Sequence, residues 1–128
     1  MNAKLTVIST PAAPKAIGPY SQAVASEGLV FVSGQIPLDP ATGELVGPDF
    51  ASQAERSLAN MTAIVVAAGL DLTRVIKVNV YLTDLARFGE FNEIYARCFG
   101  DHRPARAVVQ VAALPRGAQV EIEAIVAR

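Results

Sequence analysis

The chain has one cysteine and one histidine in 128 residues. A single thiol, Cys98, excludes an internal disulfide. One thiol with one imidazole and no carboxylates clustered at ligand spacing gives no zinc or iron site, so neither a metal nor a cofactor is expected. Ser33 lacks a partner for a nucleophilic triad, because the lone imidazole, His102, sits in the loop Gly100-Asp101-His102-Arg103 and reads as solvent-facing. Long apolar runs are also missing. Although 52% of the residues are hydrophobic, no uninterrupted stretch approaches the ~18 needed to cross a bilayer. The 11 basic residues are scattered singly and the net charge is −1, which leaves no electrostatic footprint for nucleic acid. Gly34 and Gly43 form no phosphate-cradling loop. The first residues carry no apolar leader core, so the expected compartment is the cytoplasm, without a membrane partner.

What remains is one domain with a substantial core, undivided by repeats or low-complexity tracts. A short strand is expected from Leu5 to Ile8. Ser21 to Ala25 and Leu29 to Ser33 read as a hairpin around Glu27-Gly28, ended by Gly34. Ala51, Ala54, Leu58, Met61, Val65 and Ala68 then make one helical stripe, with Asp49 as N-cap and Gly69 just past its end. Arg74 to Leu82 returns to period two, with Ile76, Val78, Val80 and Leu82 on its apolar face. A second helix, Ala86 to Phe99, carries Phe88, Phe91, Tyr95 and Phe99 as core packing, with Asp84 as its cap and Gly100 as its stop. Strands over Ala105 to Val111 and Gln119 to Ala127 complete the order β-β-β-α-β-α-β-β. Such an α+β pattern predicts a mixed sheet with both helices on one face. Ile125 and Ala127 share the other side of the last strand with Glu121 and Glu123, and oligomerisation is the simplest cover for a half-apolar second face.

The charged residues inside these strands are the candidates for chemistry. Arg106 interrupts Ala105 to Val111, while Glu121 and Glu123 interrupt Val120 to Val126. Such side chains are rarely buried unless paired. One reading is a structural ion pair between Arg106 and Glu121 across neighbouring strands. The other is a fixed cation beside a potential base in a shared recess, a site for a small carboxylate substrate. Glu123 reads as structural or interfacial, and Cys98 as a small core residue.

Four segments carry a resemblance over nearly the whole chain. They are Ala16-Ile17-Gly18-Pro19-Tyr20-Ser21-Gln22-Ala23, Val32-Ser33-Gly34-Gln35-Ile36-Pro37, Pro104-Ala105-Arg106 with Val111-Ala112-Ala113-Leu114-Pro115, and Val120-Glu121-Ile122-Glu123-Ala124. Taken in this order, with Asn60 and Ala67-Ala68-Gly69-Leu70 between them, they resemble the RidA (YjgF) family of reactive-intermediate deaminases. The resemblance implies a chorismate-mutase-like α+β fold and a homotrimer with sites in the clefts between subunits. It also implies hydrolysis of 2-imino acids such as 2-iminobutanoate and 2-iminopropanoate to 2-keto acids and ammonia. Carried over by position, Arg106 is the substrate-carboxylate clamp, Glu121 the carboxylate that holds the attacking water, and Tyr20 the aromatic residue of the Gly-Pro-Tyr loop. Ser33 and Gly34 form the floor of the pocket, and Asn92 lines it. Many family members have a cysteine at the position of Val108, which here contributes at most a main-chain contact to the substrate, so a thiol nucleophile is unavailable. A non-enzymatic binder of 2-keto acids or holdase, an endoribonuclease, and a deaminase of larger enamines remain alternatives.

Overall fold

The computed structural model describes residues 4–128. Residues 1–3, part of the stretch read above as lacking a leader, lie outside the described residues. The elements run β1 (Thr6–Ile8), β2 (Ala23–Ala25), β3 (Leu29–Gln35), α1 (Phe50–Ala67), β4 (Val75–Leu82), α2 (Phe88–Phe99), β5 (Ala105–Gln110) and β6 (Val120–Ala127). The strands form one sheet in the order β1-β2-β3-β6-β4-β5, antiparallel throughout except for the parallel pair β4 and β5. This is the expected α+β architecture, a mixed sheet backed on one face by two helices.

The core lies between that face and the helices. Val30, Val32, Val78, Val80, Leu82, Ile122, Ala124 and Val126 pack there against Leu58, Met61, Ile64, Phe91 and Tyr95. Alternation along β6 is strict, with Val120, Ile122, Ala124 and Val126 buried and Glu121, Glu123 and Ile125 on the bare side. Asp49 caps α1 as expected, its carboxylate accepting from the Ser52 N–H at 2.9 Å. Gly69 follows the helix end with φ +81°, a conformation that glycine adopts without strain.

Four details differ from the sequence reading. Strand β3 runs through Gly34 to Gln35, with its register to β6 broken between Val32 and Gln35. Ile76 is exposed, because Val75 opposes Val126 while Lys77 opposes Ile125; the extra residue bulges out and Val75 takes the core position. Asp84 caps a 3-10 turn, Leu85–Arg87, from which α2 continues, and Phe88 in the first turn of that helix is exposed rather than in the core. His102 is half-buried rather than solvent-facing, with Nε2 2.8 Å from the Val75 carbonyl oxygen and its ring against Phe99.

Buried amides fix the loops around the sheet. Gln22 donates to the carbonyls of Thr10, Ala13 and Pro14 and accepts from the Thr10 N–H, which secures the segment leading to Tyr20. Asn60 donates from α1 to the carbonyls of Ile36 and Leu38. Gln53 ties Val46 to Gln119 in the same way. Buried polar groups need such partners, so these three positions dictate where the loops lie.

Candidate functional site

Two hollows contain the residues singled out from the sequence, and they lie on opposite sides of the sheet. The first, about 370 Å³, is on the bare face, where Glu121 meets the break in β3. Ser33 and Gly34 form its floor, Ile17, Tyr20, Ile36 and Pro115 its walls, and Glu121 and Glu123 its charge. A β-carbon built on Gly34 would fall 2.5 Å from Glu121 Oε2, so the carboxylate can occupy its position only because residue 34 is glycine. The Ser33 hydroxyl donates to the Ser21 carbonyl at 2.6 Å and serves as a structural tie. Tyr20 is 45% exposed at the rim, its hydroxyl accepting from the Ile17 N–H at 3.2 Å.

Burial pushes the Glu121 carboxyl above the ordinary carboxylate range, and the neighbouring Glu123 charge adds to the effect. Glu123 accepts hydrogen bonds from the Tyr81 hydroxyl at 2.7 Å and the Asn79 amide at 3.1 Å. The bond to Glu123 in turn raises the Tyr81 phenol to about 12, with smaller contributions from desolvation and the two glutamate charges.

The second hollow, about 380 Å³, is on the helix side of edge strand β5 and is lined by Asn92, Tyr95, Ala96, Arg103, Pro104 and Arg106. The Arg106 guanidinium lies over the Tyr95 ring at 4.8 Å and near the Phe88 ring at 5.7 Å, which orients the fork without a counter-ion. Among the described residues the only ion pair is Arg87 with Glu90. Asn92 Oδ1 and the Tyr95 hydroxyl are buried here without a hydrogen-bond partner, an arrangement that costs stability unless something else meets them. Burial raises the Tyr95 phenol to about 12, against a smaller opposing pull from Arg106. Val108, two residues along the same face from Arg106, packs against the core instead of lining either hollow.

Within one chain, therefore, Arg106 and Glu121 do not share a recess, nor do they pair across neighbouring strands. Strand β4 separates them. Arg106 stands opposite Val78 on the core face, whereas Glu121 stands opposite Tyr81 on the bare face. Burial consequently outweighs Arg106 in setting the proton affinity of Glu121 in the single chain. Sequence reasoning missed Tyr81 and Asn79 as the partners of Glu123, and Tyr95 as the support of Arg106. Their signal was the strand and helix period, which identifies a face but not the neighbour across it.

The chain is thus a small α+β mixed-sheet domain with a cationic hollow on one face and an acidic hollow on the other. A family model described as endoribonuclease L-PSP matches residues 10–128, and the chain belongs to that family, the YjgF/RidA family. The human protein named 2-iminobutanoate/2-iminopropanoate deaminase is 51% identical over 119 residues, covering 93% of this chain and 87% of the relative. Protein DfrA of Myxococcus xanthus is 54% identical over 120 residues, covering 92% of each. The crystal structure of E. coli TdcF with bound serine superposes with a TM-score of 0.92 at 49% identity, covering 96% of this chain and 98% of that one.

Proposed function

We propose that the chain is a 2-iminobutanoate/2-iminopropanoate deaminase, hydrolysing short-lived 2-imino acids to 2-keto acids and ammonia, and that it works as a cytoplasmic homotrimer. The observation that carries this reading is the division of labour between the two hollows: an oriented guanidinium beside two unpartnered polar atoms on one face, and a base of raised proton affinity on the other. Head-to-tail contacts that close into a ring would bring the helix-side hollow of one copy to the bare-face hollow of the next. The bare face has the surface for such contacts, since Phe31, beside Ile125, and Val109, on the edge strand, are each 47% exposed there.

In the joined site Arg106 binds the substrate carboxylate through its planar fork, a geometry that lysine cannot copy. Asn92 lines the same half. Glu121 accepts a proton from a water molecule as its oxygen bonds to C2 of the protonated imine and the C=N π pair moves to nitrogen, with Tyr20, Ser33 and Gly34 enclosing the reacting end. Glu121 returns that proton to the carbinolamine nitrogen, the C–N bond breaks as the C2 hydroxyl closes to the carbonyl, and the hydroxyl proton leaves with the ammonia as ammonium. Orientation and one general base, together about 10²–10⁵-fold, suffice for a reaction that also runs unaided in water. Val108 supplies no thiol, so no covalent intermediate is needed. Phosphodiester cleavage gains no support from the Glu121 hollow, because its two carboxylates and no basic side chain would repel a polyanion.

The test generates 2-aminoacrylate and 2-iminobutanoate with a separate dehydratase and times keto-acid formation with and without the protein. Faster release that disappears in Arg106→Ala, with the trimer intact, supports the proposal. Equal progress curves refute it, and ligand retention without turnover would mark a binder.

A further inference from the structure

We infer that Glu123, clamped by Tyr81 and Asn79, is a positioning residue whose immobilised charge acts on the Glu121 base across their shared hollow; this deepens the proposed imine hydrolysis and rests on it. The strand register argues for it. In β4 the residue opposite Glu121 is Tyr81 and the residue opposite Glu123 is Asn79. The Tyr81 hydroxyl nevertheless bypasses its direct partner and reaches diagonally to Glu123 Oε1, where the Asn79 amide also donates. Glu123 thus has two donors from one neighbouring strand, whereas Glu121 has no hydrogen-bond partner among the described residues. Both acids line one hollow and lie two residues apart on one face of β6. One is immobilised, and the other is left free to exchange a proton.

Within one chain Glu123 is the only other charged side chain lining the Glu121 hollow among the described residues. Strand β3 contributes Ser33 and the bare backbone of Gly34, and the loop before β2 contributes the Tyr20 phenol. Strand β4 contributes Tyr81 and Asn79, with Lys77 farther out on the same face opposite Ile125, engaged in no ion pair. Strand β5 presents only Ala105, Ala107 and Val109 on this side. Like charges in a partly desolvated hollow hold a carboxylate's proton more tightly, and a general base gains strength in the same measure. In the proposed assembly an adjacent copy's guanidinium opposes this effect, equally in every variant below, so differences between them isolate position 123.

The experiment follows Glu121 directly. The assembled protein, labelled with 13C at the glutamate carboxyls, is titrated by NMR as wild type, Glu123→Gln and Glu123→Asp, alongside the pH dependence of kcat/KM for 2-iminobutanoate. Glutamine can still accept from Tyr81, so the hydrogen-bonded frame survives while the charge is lost. Expected is a downward shift of the Glu121 titration in Glu123→Gln, a matching shift in the acid limb of the rate profile, and near-wild-type behaviour in Glu123→Asp. An unmoved Glu121 titration in Glu123→Gln, or an equal shift in both variants, overturns the inference. Because the titration is read without turnover, an inactive wild type would refute imine hydrolysis separately, leaving the electrostatic link to be judged on the resonances.

Discussion

The Glu121 carboxylate lies across the α-carbon of Gly34, in space that a β-carbon at position 34 would contest at 2.5 Å from Oε2 and 2.8 Å from Cδ. Gly34→Ala should therefore act on Glu121 rather than on the fold. A misplacement of the base by about 1 Å costs about 10²-fold in rate, while one extra methyl at a half-open site destabilises by about 1 kcal/mol. Measured kcat/KM should fall by that order with the thermal midpoint little changed; the reverse pattern would make Gly34 structural.

The raised proton affinity of Glu121 fixes two signs. As a base the residue must be ionised, so the acid limb of the rate profile should lie above the ordinary glutamate value of about 4.3. For stability, the folded chain binds this proton more tightly than the unfolded chain, so the contribution of the group falls as pH rises from the unfolded value through the folded one. Glu121→Gln should therefore be more stable than wild type at neutral pH, with a smaller advantage at pH 4 in urea unfolding.

Arg106→Lys keeps the charge and loses both the fork and the stacking on Tyr95. Steady-state kinetics should show KM for the imino acid rising about tenfold or more, with kcat less affected. A proportional loss in both would place the guanidinium at the reacting centre instead.

Subunit mixing tests the joined site. Arg106→Ala and Glu121→Gln proteins, each inactive alone, should regain activity when unfolded and refolded together, to about one competent site in four for random assembly of a head-to-tail ring. No recovery would mean that both residues must come from a single copy.

Asn60→Ala removes the donors to Ile36 and Leu38 from inside α1. Leaving buried carbonyls unsatisfied should cost about 1–3 kcal/mol. The urea midpoint should drop, and activity should follow, since Ile36 forms one wall of the Glu121 hollow.

The helices and the alternation of β6 were legible in the sequence because their periods are long or strict. Local departures were not. The bulge at Ile76 is invisible to a period-two count, which assigned Ile76 the core position that Val75 takes. Phe88 fits the aromatic stripe by spacing, yet it opens the helix directly after a 3-10 turn and stays exposed. The relation of Arg106 to Glu121 was hidden for a different reason. Strand β5 is apolar on both faces, with Val108 on one and Ala107 and Val109 on the other. Nothing in its own pattern reveals which side Arg106 occupies; only its register with β4 does. The site residues could thus be named from motifs, while their division between two faces required the strand order.

With the cation on one side of the sheet and the base on the other, a solitary copy would be a folded spectator. Output would then follow how many copies have found company rather than how many have been made, so scarcity alone would silence the chemistry. An allele crippled in one half alone would not drag down the healthy copies it joins, because it still lends them its intact half.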